Sequence, residues 1–389
     1  MSLFTARVLT AAGLLHRHVH RRNFIAARIK WVRDPYLDNV VQREKDLKSV
    51  ISLKNLIFSQ PSKFLPISVA SLEKDRLGLP TTVVKFIEYY PSVFSEFRPE
   101  KPLSLPHLKL TRQALAIHRE ETRLSNSQEQ LKEAAERLAK FLMLAGAGRV
   151  PFVIIDRFRY DLGLPLNYVL NLLPDYPDYF QMCSIRCNNG CEMLGLELVS
   201  WKNELAVSVM QKKEMDNNVG NRRIPFLMEL PRGFDLEKKV MNWVHQFQRL
   251  PYISPYENAF HLPPKSDQAE KWAVGIVHEL LHLLVSKKTE RENLYSLGDY
   301  LGFGMRFKNA LVHHPGIFYV SNKNSTQTVV LREAFRKDFL ILKNPLMGIR
   351  HRYIHLMNKQ PPNLRRKLIP FESSRRMNRV LLASKHGLV

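Results

Sequence analysis

Cysteine is nearly absent, with three in 389 residues. That is too few for a disulfide framework, which excludes a stapled secreted scaffold and favours a reducing compartment. Cys183, Cys187 and Cys191 are spaced evenly by four, unlike the C-x-x-C pairs of metal-binding turns, and no fourth ligand stands nearby. They read as ordinary thiols around the turn at residues 188–190, holding no metal. No apolar run approaches the roughly 18 residues of a membrane span. Glycine (16) and proline (23) are too sparse for collagen or low-complexity sequence, and a 45% hydrophobic content suffices for a core. The phosphate-binding G-x-x-x-x-G-K-[ST] loop and the G-x-S-x-G elbow are missing, as is any convincing Cys/His nucleophile pair. Acid is the other scarcity. Thirty-six Asp+Glu against 59 Lys+Arg leave a net charge of +23 and a pI near 10.0. Such an excess repels itself in a compact chain and points to a polyanionic partner, with nucleic acid foremost.

Residues 1–33 contain no Asp or Glu, while Arg7, Arg17, Arg21, Arg22, Arg28, Lys30 and Arg33 supply seven positive charges. Leu3, Phe4, Val8, Leu14 and Leu15 can share one helical face opposite the arginines. A secretory signal carries its charge before the apolar run; here most of it follows. An acid-free, Arg-rich, amphipathic leader is the composition of an organellar presequence. Arg22-Asn23-Phe24 ahead of Ile25 reads as a mitochondrial processing site, so residues 1–24 are assigned to a presequence. The address is the mitochondrial matrix, with the chloroplast as the alternative.

Three segments read alike. They are LGLPTTVVKFIEYYPSVF (77–94), LGLPLNYVLNLLPDYPDYF (162–180) and LGFGMRFKNALVHHPGIF (301–318). In each, a Leu-Gly turn opens an amphipathic helix, a proline ends it, and a phenylalanine stands three residues later. Helical segments precede the units, at 53–58, 130–145 and 268–287. The expected fold is mainly α: irregular helical repeats, three helix–turn–helix units ending P-x-x-F, with a small antiparallel β insertion at 192–201, 204–210 and 224–230. Residues 25–345 form the body. Residues 346–389 are read as a basic tail, disordered or folded on RNA; beyond 360, Arg365, Arg366, Lys367, Arg375, Arg376, Arg379 and Lys385 face only Glu372.

One motif speaks for an enzyme. His278-Glu279-Leu280-Leu281-His282 fits H-E-x-x-H, in which two histidines a turn apart can ligate zinc while the glutamate activates water. A metallopeptidase is the alternative it raises. The helix is apolar nearly all round, however, as a core helix would be, and no further ligand stands at the spacing of known zinc peptidases: Lys288 occupies the sixth position after His282, and Glu290 and Glu292 are too close. The expectation is therefore no zinc, no cofactor and no catalysis.

The opening IKWVRDPYLDNVV (29–41), the GLPTTVVKFIEYYP and YPDYF segments, and AVGIVHELLHLLVSKKTERENL followed by LVHHPGIFYVS together resemble the plant organelle RNA recognition (PORR) domain family over residues 26–340. The resemblance implies an organellar splicing cofactor that binds group II intron RNA, with other splicing factors as possible companions. In that family the position of His282 is usually not histidine, so H-E-x-x-H reads as a coincidence on a core helix. The family pattern does not assign RNA contacts residue by residue.

Candidate contacts follow from basic residues clustered or interleaved with aromatics, which neutralise phosphates and stack unpaired bases. They are Arg28, Lys30, Trp31 and Arg33; Lys109, Arg112, Arg119 and Arg123; Arg157 and Arg159; Arg222 and Arg223; and Arg306 with Lys308. A helical-repeat adaptor for protein partners is the remaining alternative. Fusing residues 1–40 to a fluorescent protein is expected to direct it to mitochondria with cleavage near residue 24; a plastid or nuclear signal alone would refute the mitochondrial address.

Overall fold

The computed structural model describes residues 32–99, 105–186, 190–216, 224–230 and 237–359. The chain opens with α1 (Pro35–Arg43), whose N-terminal amides at Tyr36 and Leu37 are accepted by the Asp34 side chain. Three units follow, each built in the same order. The first runs α2 (Leu47–Ser59), β1 (Leu65–Pro66), α3 (Ile67–Leu72), α4 (Val83–Tyr89), β2 (Phe94–Phe97) and β3 (His107–Leu110). The linker helix α5 (Arg112–Ser125) starts at Thr111, whose hydroxyl accepts the Ala114 amide. The second unit is α6 (Gln128–Leu144), β4 (Arg149–Pro151), α7 (Phe152–Leu162), α8 (Tyr168–Asn171), β5 (Phe180–Arg186) and β6 (Glu192–Leu198).

An excursion then forms α9 (Val209–Asp216) and α10 (Lys238–Arg249). The third unit is α11 (Asp267–Leu283), β7 (Lys288–Glu290), α12 (Arg291–Tyr300), α13 (Met305–His313), β8 (Phe318–Ser321) and β9 (Thr328–Leu331). A short hairpin, β10 (Phe335–Arg336) with β11 (Phe339–Leu340), leads into α14 (Pro345–Met357).

In every unit the three strands are antiparallel and ordered first–third–second: β1-β3-β2, β4-β6-β5 and β7-β9-β8. Helix, strand, helix, helix, strand, strand with that order is the connectivity of a winged helix–turn–helix. The fold is mainly α, but the units are not all-helical repeats, and the β structure is not confined to one insertion. Each P-x-x-F segment delivers its phenylalanine as the first residue of a strand. Gly78, Gly163 and Gly302 turn the chain with φ of +64, +70 and +75°, a conformation that favours glycine. The residues before the prolines, Tyr90, Tyr176 and His314, share φ between −121 and −129° and ψ between 55 and 57°. Each carbonyl accepts the amide of the phenylalanine four residues on, Phe94, Phe180 and Phe318. Those three rings are buried.

Two further expectations are corrected. Of the β segments, only residues 192–198 form a strand, paired with Phe180–Arg186 rather than with 204–210. Alternation at 204–210 is overridden because the Ser208 hydroxyl accepts the Gln211 amide and starts α9. Residues 224–230 are irregular and touch the third unit through the Glu229 amide on the Gly316 carbonyl. The basic tail does not begin at 346. Residues 345–357 are the helix α14, started by Asn344, and Ile349, Tyr353, Ile354, Leu356 and Met357 are buried in the core of the first unit. The charge this helix carries is accommodated inside the fold: Arg350 is buried, donates to the Tyr160 carbonyl at 2.5 Å, and lies 3.8 Å from the Tyr160 ring centroid.

Two apolar cores result. One joins the first unit to α5 and α14; the other joins α1 to the second and third units. The first core is pinned by Lys54 on α2, 1% exposed, which pairs with Glu121 on α5, while Tyr353 of α14 donates to the same carboxylate at 3.0 Å. Burial works against the charged carboxylate, but hydrogen bonds from His118, Lys54 and Tyr353 and the charge of Lys54 prevail and hold Glu121 down to about 2. Its folded value lies below its unfolded one, so the stabilisation is complete above pH ~4.5 and is lost as pH falls toward 2. Glu121→Gln is expected to cost about 3 kcal/mol at pH 7, by leaving Lys54 buried without its counter-charge. Urea unfolding of both proteins from pH 7 down to pH 3 should show the gap narrowing; a constant gap would contradict the assignment.

Candidate nucleic-acid interface

The seam between the two cores is open on one side as a cleft of about 530 Å³. α2 forms one wall with Lys48, Asn55 and Phe58, and α5 adds His118, Thr122 and Asn126. α7 and the turn after it form the other with Arg157, Arg159, Tyr160 and Asn167, and α14 closes the floor with Ile349, Arg350 and Tyr353. A second cavity of about 370 Å³ shares Lys48, Ser52 and Tyr160, so the groove continues past Lys48 toward Ser286 and Thr289.

The charges in the cleft differ in their freedom. Lys54 is spent on Glu121, and Arg350 on Tyr160. Lys48 reaches Glu290 at 3.1 Å and Asp161 at 3.7 Å; burial opposes its charge, but these carboxylates outweigh it and raise its pKa. Arg159 donates to the Leu166 carbonyl at 3.2 Å, and Arg157 is exposed with no carboxylate partner among the described residues. Against these cations stand Glu121, already paired, and Asp156, which accepts from the Tyr168 hydroxyl at 3.1 Å. The Tyr160 hydroxyl is buried and makes no hydrogen bond among the described residues. The pocket therefore offers an excess of guanidinium and ammonium groups, amides able to read base edges, and rings able to stack: the elements of recognition of an unpaired nucleotide.

Of the sequence-derived contacts, the fold brings Arg157 and Arg159 into this cleft. Arg119 and Arg123 are exposed on α5, the helix that lines it, though they do not line it themselves. Arg112 is exposed at the start of that helix, and Lys109 lies on β3 with its ammonium 4.5 Å from the Phe97 ring. Arg33 is committed to Asp38 at 2.8 Å and serves the fold. Arg306 and Lys308 belong to α13, over the rings of Phe303 and Tyr295, apart from the cleft. Arg28, Lys30, Trp31, Arg222 and Arg223 lie outside the described residues. Sequence reasoning missed Lys48, Asn55 and Arg350. Lys48 and Asn55 fall on an amphipathic helix among apolar neighbours, and Arg350 in a stretch read as tail, so only the packing distinguishes them.

The H-E-x-x-H segment lies on α11, which is buried from Ala269 to Leu283. Nε2 of His278 and of His282 both meet Oε1 of Glu333, at 3.0 and 2.7 Å. Glu279 is engaged elsewhere. One oxygen accepts from the Tyr256 hydroxyl at 2.7 Å and Lys140 at 3.0 Å, and the other from the Val209 amide at 2.8 Å. Burial opposes its ionisation, but Lys140 and these donors keep it a carboxylate with a lowered pKa. Its oxygens are taken, so it is not placed to activate a water at the two histidines, and the metallopeptidase reading has no base. Among the described residues, no cysteine belongs to a group of possible metal ligands: Cys183 is half-buried on β5 and Cys191 is exposed, while Cys187 lies outside the described residues.

Comparison with known proteins places these features in context. Residues 32–362 match the family model described as the plant organelle RNA recognition domain. The mitochondrial protein WHAT'S THIS FACTOR 9 of Arabidopsis thaliana is 34% identical over 357 residues, covering 90% of this chain and 89% of that protein. The chloroplastic WHAT'S THIS FACTOR 1 of Zea mays is 31% identical, over 84% of this chain and 66% of its own length. ROOT PRIMORDIUM DEFECTIVE 1 of Arabidopsis thaliana is 29% identical, over 85% and 83%. No solved structure matches the chain.

Proposed function

The chain belongs to the plant organelle RNA recognition domain family, and on that premise we propose that it binds group II intron RNA in mitochondria and promotes splicing without catalysing a reaction itself. The observation that carries the reading is the cleft between the two cores, where Arg157, Arg159 and Lys48 meet Asn55, Asn126 and Asn167 beside aromatic rings. Group II introns fold through contacts between densely charged domains, and a basic groove that holds one unpaired segment lowers the repulsion between them. Amides and rings within the groove favour single-stranded over duplex RNA, whose base edges are sequestered. The mitochondrial address rests on the acid-free leader and on the similarity to a mitochondrial relative; relatives named as chloroplastic keep the plastid as the alternative. Other splicing factors are the expected companions.

Affinity for a group II intron fragment is expected to fall steeply with salt, by about 0.7 log units per log unit of salt for each phosphate contact on single strands. Arg157→Gln with Arg159→Gln should lower that slope by about 1.4 if each arginine holds one phosphate, and weaken all single-stranded RNAs alike. Filter binding across a salt series measures both. A flat salt dependence of the unaltered protein would refute the polyanion reading. An unchanged slope in the double variant would move the interface away from the cleft. RNA recovered with the protein from intact mitochondria should be enriched in intron-containing transcripts.

A further inference from the structure

The chain holds a second constellation that RNA binding does not use and that does not depend on it. His278 and His282 stand one turn apart on α11, with ring centroids 4.6 Å apart. Folding brings Glu333, on the turn after β9, against both. One donor atom from each of the three lies within 4.8 Å of the others, and all three side chains are buried. We propose that His278, His282 and Glu333 form a zinc-binding site that clasps α11 to the end of β9.

Two imidazole nitrogens and one carboxylate oxygen are a donor set zinc commonly takes, with bonds of about 2.0–2.1 Å. Tetrahedral ligands at that radius sit about 3.3 Å apart, so the imidazole–carboxylate separations of 3.0 and 2.7 Å need open only by a few tenths of an ångström. A cation already answers the carboxylate: Nζ of Lys213 lies 2.8 Å from the same Oε1 atom that both histidines address. Three donors thus converge on a single oxygen. Lys213 comes from α9 and its side chain is 51% exposed, so it can withdraw to water. Zinc in its place would supply the charge and also use the imidazole lone pairs, which an ammonium ion does not satisfy. The vacated position leaves room for a water as fourth ligand. With Glu279 committed to Tyr256, Lys140 and Val209, the bound ion is a clasp and not a hydrolytic centre. The Nδ1 atom of His278 has no partner among the described residues, where metal-binding histidines usually donate to a second group. That omission weakens binding by roughly 10–100-fold relative to a site whose histidines both have an outer partner.

The test uses the full chain without a histidine tag, stripped with a chelator and titrated with zinc chloride alone against a chromophoric competitor. One equivalent should bind and raise the melting temperature, and cobalt(II) in its place should give the visible absorption of a tetrahedral site. His282→Ser and Glu333→Gln should each weaken binding at least tenfold, while Lys213→Met, on a half-exposed side chain, should tighten it. Failure to bind a stoichiometric ion, or binding of unaltered strength in both ligand variants, would overturn the proposal. Should the ligand variants fail to fold, Lys213→Met decides: an affinity no greater than that of the unaltered protein would refute the site.

Discussion

A lysine that is 1% exposed cannot remain charged in an apolar core without a carboxylate, and Lys54 obtains one only because α5 lies across α2. The same carboxylate accepts from Tyr353, which sits near the end of the chain on α14. One buried ion pair therefore couples three helices that are distant in sequence. Removing α14 would uncover the apolar face of the first unit and take away one of the donors that keep Glu121 ionised. The seam also depends on α14: Arg350, one turn before Tyr353, reaches Tyr160 in the second unit and helps fix how the two cores face each other. The cleft is what remains open when both ties are made.

The same economy governs α11. It is buried from Ala269 to Leu283, yet it carries Glu270, Lys271, His278, Glu279 and His282. Each polar group has a partner from a different element. Glu270 takes His313 and His314 from the end of α13; Lys271 donates to the carbonyls of Gln248 and Leu250; Glu279 takes Tyr256 and Lys140; and the two histidines take Glu333. Unpaired, any of these would cost several kcal/mol. Together they index the excursion containing α9 and α10 against the third unit, where apolar packing alone would tolerate sliding.

Repetition has a local cause as well. Glycine at φ near +70° turns the chain ahead of a short helix, and a proline thirteen or fourteen residues later cannot continue it. The residue before the proline then adopts one backbone conformation in all three units, and the following phenylalanine enters both the core and the first strand of a pair. The surfaces of the units nevertheless diverge. Arg157 and Arg159 on the second unit face another unit across a gap, whereas Arg306 and Lys308 on the third lie over rings of their own unit. Charge excess is a property of the chain, but a binding cleft requires two walls.

The helices, the glycine turns and the P-x-x-F segments were legible from sequence because each follows from neighbours within a few residues: periodic apolar positions, φ freedom at glycine, and the missing amide of proline. The polyanion expectation was equally legible, since net charge needs no coordinates. The strands that follow each unit were not, because a two- to seven-residue strand is specified by its partner, and that partner lies across the unit. Residues 204–210 show the error in reverse, where alternation pointed to a strand and a Ser208 cap made a helix. Arg350 fell within the stretch read as tail, and only the Tyr160 carbonyl that accepts it marks it as part of the folded body. His278 and His282 were visible as a pair, with no third ligand at any familiar spacing. Sequence alone determined what each segment can do within its own turn of backbone. Only the tertiary structure decided which charges are spent inside the fold, which stand across the cleft, and that Glu333 joins the histidines, because electrostatic energy depends on distances through space that sequence separation does not measure.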